Sequence, residues 1–194
     1  LLSRPFGVCD QSDGTLTLLY QLVGEGTQIM ADLKPGHEVQ LLGPLGNGFR
    51  LKESKDKKIA VVAGGIGIAP LLSLVKNLDA KPDFYAGFTE DPYFLDEFIP
   101  YIDKLTYTSF KTDKIFITEL INPDEYDLVY ACGPNGMLRS IHEKNSNAEI
   151  QVSMEAHMAC GIGACLGCTV ESVDNQFLRV CKHGPVFDSR EVFI

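Results

Sequence analysis

The chain has 194 residues, 45% hydrophobic and 22% charged; it is large enough to bury a real core and too apolar to be disordered. Its net charge of −9 argues against nucleic acid or an anionic membrane as partner, because both recruit basic patches. The apolar run over 59–75 is shorter than the roughly 20 residues of a spanning helix. Gly64, Gly65, Gly67 and Pro70 also interrupt it, so it reads as a buried strand, a tight turn and a helix start. No signal peptide is visible.

In chain order, the first 52 residues alternate apolar and polar in short bursts. Examples are Thr15-Leu16-Thr17-Leu18-Leu19-Tyr20 and Glu38-Val39-Gln40-Leu41-Leu42, with turns at Asp13-Gly14, Pro35-Gly36 and Gly43-Pro44. That texture predicts antiparallel strands of a small barrel or sandwich. Arg4-Pro5-Phe6-Gly7 opens the module, and Gly24-Glu25-Gly26-Thr27 starts a short helix over 27–33. An Arg and a Gly/Thr helix start, brought together, can hold a pyrophosphate; a surface Arg and an ordinary turn are the plain alternatives. The chain begins at Leu1 without an initiator Met, so an N-terminal portion of this module is expected to be missing. The charged link over 52–58 marks a boundary.

From Ile59 the texture changes. Ile59-Ala60-Val61-Val62-Ala63 is a continuous β-favouring run, as expected for a parallel strand buried on both faces. An amphipathic stretch over 71–78 follows. Phe84-Tyr85-Ala86-Gly87-Phe88, Lys114-Ile115-Phe116-Ile117 and Asp127-Leu128-Val129-Tyr130-Ala131-Cys132 read as further strands. The alternation with helical segments predicts a doubly wound α/β domain ending near Asn147. Ala63-Gly64-Gly65-Ile66-Gly67-Ile68-Ala69-Pro70 lies between strand and helix, where glycines admit a pyrophosphate to the helix N-terminus. It departs from the standard dinucleotide fingerprint, and a tight turn is the plain reading. Cys132-Gly133-Pro134-Asn135-Gly136-Met137 falls at the end of another strand, on the rim where such sheets bind ligands. Cys132 either approaches a nicotinamide or is a buried structural thiol.

The C-terminal segment carries Cys160-x4-Cys165-x2-Cys168-x12-Cys181, the first three thiols sharing one glycine-rich loop. That is the ligand spacing of plant-type [2Fe–2S] sites. Structural zinc, held by paired knuckles, is the rival, and disulfides come third. Cys9 and Cys132 lie far from this quartet and from each other, which points to a reducing, cytoplasmic setting. His37, His142, His157 and His183 show no metal or triad spacing. His157 and His183 flank the cysteines, where a second-shell hydrogen bond or ordinary packing would place them.

These motifs in this order resemble the ferredoxin–NADP reductase superfamily. Arg4-Pro5-Phe6 and Gly24-Glu25-Gly26-Thr27 are similar to its flavin segments, Gly43-Pro44-Leu45-Gly46-Asn47-Gly48-Phe49 to its barrel-closing turn, and 63–70 and 132–137 to its nicotinamide-nucleotide motifs. Met158-Ala159-Cys160 through Cys168, with Arg179-Val180-Cys181-Lys182-His183-Gly184-Pro185-Val186-Phe187, resembles the electron-transfer subunits of NAD-dependent (class 1B) dihydroorotate dehydrogenases.

The resemblance implies an α+β, multi-domain chain. Its parts are a partial antiparallel flavin-binding β-barrel (1–54), a doubly wound NAD-binding α/β domain (55–147) and a small [2Fe–2S] module (148–194). FAD is carried onto Arg4, Pro5, Phe6, Gly7, Leu19, Tyr20, Gln21, Gly26 and Thr27. NAD goes onto Gly64, Gly65, Gly67, Pro70, Cys132, Gly133 and Pro134, and the cluster onto Cys160, Cys165, Cys168 and Cys181. The family usually has Ser where Gly7 stands, so a hydroxyl hydrogen bond to the flavin is lost or supplied elsewhere. The implied partner is an FMN-containing dihydroorotate dehydrogenase catalytic subunit, two of each chain forming a heterotetramer in pyrimidine biosynthesis. Electrons would run from dihydroorotate through FMN, cluster and FAD to NAD. The small subunit of an NADH-dependent ferredoxin:NADP oxidoreductase or of a sulfide dehydrogenase shares these motifs and stays open. So does a non-catalytic module with a four-cysteine zinc.

Overall fold

A computed structural model describes residues 3–51 and 55–193 of the chain; the expected boundary at 52–54 lies outside them. The first elements are an antiparallel ribbon, β1 (Asp10–Ser12) and β2 (Thr15–Thr17), and a short helix α1 (Glu25–Ala31). Then come β3 (Ile59–Gly64), α2 (Ala69–Lys76), β4 (Asp83–Phe88), β5 (Lys104–Ser109), α3 (Phe110–Asp113) and α4 (Ile117–Leu120). β6 (Leu128–Cys132), α5 (Asn135–Glu143) and β7 (Glu149–Ser153) follow. The C-terminal part is a hairpin of β8 (Thr169–Glu171) and β9 (Phe177–Arg179), then α6 (Val180–His183), β10 (Val186–Asp188) and α7 (Ser189–Val192).

Six strands form one sheet in the order β10-β7-β6-β3-β4-β5. β7, β6, β3, β4 and β5 are parallel, and β10 closes the edge antiparallel to β7. Strand β3 is buried along its whole length. Alternation sends Ile59, Val61 and Ala63 to the face covered by α2, and Ala60 and Val62 to the face covered by α4 and α5. Helices on both faces make the sheet doubly wound, so the carboxyl ends of β3, β4 and β6 share one rim.

Three sequence expectations need correction. Lys114-Ile115-Phe116-Ile117 is a turn and a helix start. Lys114 is left-handed (φ 58), and the Glu119 carboxylate accepts the Phe116 N–H at 2.8 Å to cap α4. The third strand is instead β5, whose Thr-Tyr-Thr alternation suits a half-exposed edge. Residues 38–42 form no strand: an extended segment needs a ladder partner, and among the described residues it has none. The sheet also runs past residue 147 through β7 and β10, so the cysteine segment shares the core of the α/β unit.

Candidate functional site

The glycine rim is built where β3 ends. A 3-10 turn over Gly65–Ile68 leads into α2, with Pro70 in its first turn. Gly65 has φ +52 and faces open space, so its backbone is accessible to a ligand. Gly67 serves packing: a Cβ there would lie 2.3 Å from the Cys132 carbonyl oxygen and 2.8 Å from Gly133 N. Gly64 in turn meets Pro134 and Met137. The two glycine loops therefore touch, one at the end of β3 and one at the end of its neighbour β6. Cys132 offers its main chain to this contact. Its thiol is buried, and burial pushes it up to about 12 despite a hydrogen bond with Ser153. Farther along the rim, Phe110 and Phe116 stack at 4.7 Å with partly exposed rings; sequence reading overlooked this pair because it took 114–117 for a strand.

The flavin-like segments gather beside that rim. Arg4 lies against Gly26, where a Cβ would be 3.2 Å from Arg4 Nε. The Phe6 and Tyr20 rings meet at 5.8 Å, and Leu19 packs on the buried cluster that holds Cys9 and Ile68. Thr27 is buried, and its hydroxyl shapes the turn. Oγ1 accepts the N–H groups of Val23 (3.0 Å) and Gly24 (3.2 Å) and donates to the Gly24 carbonyl (2.9 Å). Pro5, Gly7 and Gln21 are exposed. Gly7 abuts the nucleotide motif: its Cβ would lie 3.1 Å from Pro70 Cβ. Tyr93, which no motif flagged, sits next to this region on Phe88. Its buried hydroxyl has no hydrogen-bond partner among the described residues. Burial raises its phenol, and the nearby Gln21 side chain draws it back.

The cysteine loop brings the four thiols together as two pairs. Cys160 Sγ accepts backbone N–H groups from Ala164 (3.3 Å) and Cys165 (3.4 Å). The backbone N–H groups of Cys165 and Ile162, then the Cys165 thiol, lower Cys160 to about 6, favouring the thiolate that ligates metal. Cys181 N–H points at Cys168 Sγ at 3.4 Å, and both thiols are buried. Burial raises the Cys181 thiol first, and the Cys168 thiol raises it further. Arg179 Nη1 anchors the loop on the Gly163 carbonyl at 2.8 Å, and Arg179 N–H donates to His183 Nδ1 at 3.0 Å. His157 is exposed. Among the described residues no three His, Cys, Asp or Glu side chains gather as the ligand set of one ion. Two thiol pairs suit two irons with two protein ligands each. The N–H donors and the lowered thiol fit a [2Fe–2S] cluster.

A doubly wound sheet with a glycine rim, a flavin-type segment abutting it and a loop of paired thiols define a ferredoxin–NADP reductase-like iron–sulfur electron carrier. A solved NADH-dependent reduced ferredoxin–NADP oxidoreductase, studied for flavin-based electron bifurcation, has the same architecture. It is 26% identical with a TM-score of 0.83, over 97% of this chain and 73% of that one. Residues 155–193 match the iron–sulfur cluster binding domain of dihydroorotate dehydrogenase B. The dihydroorotate dehydrogenase B (NAD+) electron transfer subunit of Clostridium perfringens is 41% identical, covering 98% of this chain and 81% of the relative. That of Caldanaerobacter subterraneus subsp. tengcongensis is 38% identical over the same shares. The chain belongs to the family of dihydroorotate dehydrogenase B (NAD+) electron transfer subunits.

Proposed function

We propose that the chain carries electrons between NAD and the catalytic subunit of a dihydroorotate dehydrogenase, in pyrimidine biosynthesis, using FAD and a [2Fe–2S] cluster. Cys160 and Cys165 would hold one iron, Cys168 and Cys181 the other. Arg4, Pro5, Phe6, Gly7, Leu19, Tyr20, Gln21, Gly26 and Thr27 would hold FAD. Gly65 would receive the pyrophosphate of NAD, with Gly64, Gly67, Pro70, Cys132, Gly133 and Pro134 shaping the pocket. A flavin takes up a hydride and releases its electrons singly, which is the cofactor's own chemistry. The protein therefore supplies placement and no general acid or base. Its functional division runs 1–54 for flavin, 55–147 for NAD and 148–194 for the cluster, although the last two share one sheet.

The observation that carries this reading is the pairing of four thiols under backbone N–H donors. The exposed Cys165, with exposed Ile162 and Leu166 on the same loop, supports docking of the catalytic subunit at this end. That partner would carry FMN and form a heterotetramer, two of each chain, in the cytoplasm. No helix of the described residues is long and apolar enough to cross a membrane.

The small subunit of an NADH-dependent ferredoxin:NADP oxidoreductase is the second reading, favoured by the likeness of folds; the higher identity to dihydroorotate dehydrogenase relatives puts it behind. Anaerobic purification with the neighbouring subunit, cofactor analysis and a dihydroorotate:NAD assay separate the two. FAD, iron and acid-labile sulfide together with dihydroorotate-dependent NAD reduction are expected. A colourless, zinc-loaded complex, or one turning over only ferredoxin and NADP, would overturn the reading.

A further inference from the structure

Asn47, in the turn that ends the flavin-side segment, is joined to the cysteine segment by every polar group it has except its side-chain oxygen. Its N–H donates to the Gly184 carbonyl at 2.6 Å, and its own carbonyl accepts the Val186 N–H at 3.2 Å. Its Nδ2 donates to the Lys182 (3.2 Å) and His183 (3.0 Å) carbonyls. These are three consecutive carbonyls immediately after Cys181. The neighbours of Asn47 make the contact close. A Cβ on Gly46 would lie 2.5 Å from the Gly184 oxygen, and Leu45 Cδ1 stands 3.5 Å from where a Gly161 Cβ would be.

Both ends of this link are anchored. Downstream of Asn47, the Phe49 ring meets Tyr130 edge-on at 5.7 Å. The buried Gln151 side chain accepts Arg50 N–H at 2.8 Å and donates to its carbonyl at 3.0 Å. On the cysteine side, the Lys182 stem lies on Gly163, where a Cβ would meet Lys182 Cδ at 2.8 Å. Gly163 belongs to the loop between Cys160 and Cys165 that Arg179 also holds. A chain of contacts thus runs from the flavin-side turn through Asn47 and Lys182 to the loop that carries two of the thiols.

We propose that Asn47 is a positioning residue: through its backbone and side-chain amide it sets where the cluster-bearing loop stands relative to the flavin segments. This rests on the electron-transfer reading above. Transfer between two carriers depends on their separation, and small misplacements carry large rate penalties.

The test uses the full chain in complex with its catalytic subunit, purified anaerobically, with Asn47→Asp and Asn47→Ala. Asn47→Asp keeps the shape but turns an acceptor toward carbonyl oxygens; Asn47→Ala removes the amide. A nitroxide attached through Gln28→Cys, an exposed position of α1, reports by pulsed EPR its distance to the reduced cluster. Stopped-flow absorbance reports flavin and cluster reduction by NADH separately. Both variants are expected to keep their iron and wild-type flavin reduction. Their distance distribution should shift or broaden, and cluster reduction should slow about tenfold. An unchanged distance distribution with an unchanged cluster rate would overturn the proposal. Loss of iron from both variants would also overturn it, by making Asn47 a holder of the cluster rather than a setter of its place. Failure of the electron-transfer reading itself would look different: the wild-type cluster would not be reduced by NADH at all.

Discussion

Gly7 lies against Pro70, so closely that a Cβ on the glycine would stand 3.1 Å from the proline Cβ. One residue belongs to the flavin-type segment and the other to the nucleotide turn, so in the proposed function their contact would set the approach of the two cofactor sites. A side chain at position 7 would meet the ring of Pro70.

Widening that contact should slow communication between the sites. Misplacing one reacting group against another by about 1 Å can cost up to about a hundredfold in rate. Gly7→Val is therefore expected to slow NADH reduction of bound flavin about tenfold, with Gly7→Ala nearer wild type. Stopped-flow flavin absorbance measures both.

Cys165 is the exposed thiol of the quartet. Cys165→Ala should abolish transfer to the catalytic subunit and leave NADH reduction of flavin largely intact. If flavin reduction failed while FAD stayed bound, the assigned order of carriers would be wrong.

The two cysteines outside the quartet should be inert. Cys9 and Cys132 are buried; burial raises both thiols, Cys132 to about 12. A raised thiol pKa means the reactive thiolate grows in only as pH climbs toward that value. Iodoacetamide at mildly alkaline pH should leave both unmodified in the folded protein and label Cys165 once iron is chelated away. Peptide mass spectrometry reads the pattern, and early labelling of Cys132 would contradict the burial argument.

Gln151 is a buried polar residue on β7 whose side chain holds the Arg50 peptide from both sides. Gln151→Leu keeps the volume but strands the Arg50 N–H and leaves its carbonyl only the Tyr130 hydroxyl, 3.4 Å away, at about 1–3 kcal/mol for a polar group left unpaired. For a chain of this size each kcal/mol moves Tm by about 2–4 °C. A fall of several degrees is expected by calorimetry on the holoprotein; an unchanged Tm would show that water satisfies the Arg50 peptide.

Phe177, on strand β9 of the hairpin that follows the cysteine loop, is 71% exposed. An exposed aromatic at an interface centre commonly contributes about 2 kcal/mol or more. Phe177→Asp should weaken association with the catalytic subunit about thirtyfold while iron and flavin contents hold. Titration of one subunit into the other measures it, and wild-type affinity would place the interface elsewhere.

Local signals carried the chemistry into the sequence. Cysteine spacing is a property of one loop and one short return, so the proposal of Cys160, Cys165, Cys168 and Cys181 as ligands needed no fold. The uninterrupted apolar run of β3 and its glycine turn were equally plain, because a strand buried on both faces has no polar alternation to blur it. Edge strand β5 was missed and 114–117 misread, since a half-exposed edge and a capped helix start both mix apolar and polar residues.

What the sequence by itself determined was the spacing of the four thiols, the glycine turn after β3 and the class of chemistry, all written in short-range patterns. Only the tertiary structure decided that Gly67 packs on Cys132, that Gly7 meets Pro70, that β7 and β10 extend the sheet, and that Asn47 joins the flavin-side turn to residues 182–186. Those contacts link residues far apart along the chain through backbone groups that every sequence possesses, so no residue pattern announces them until the sheet brings them together.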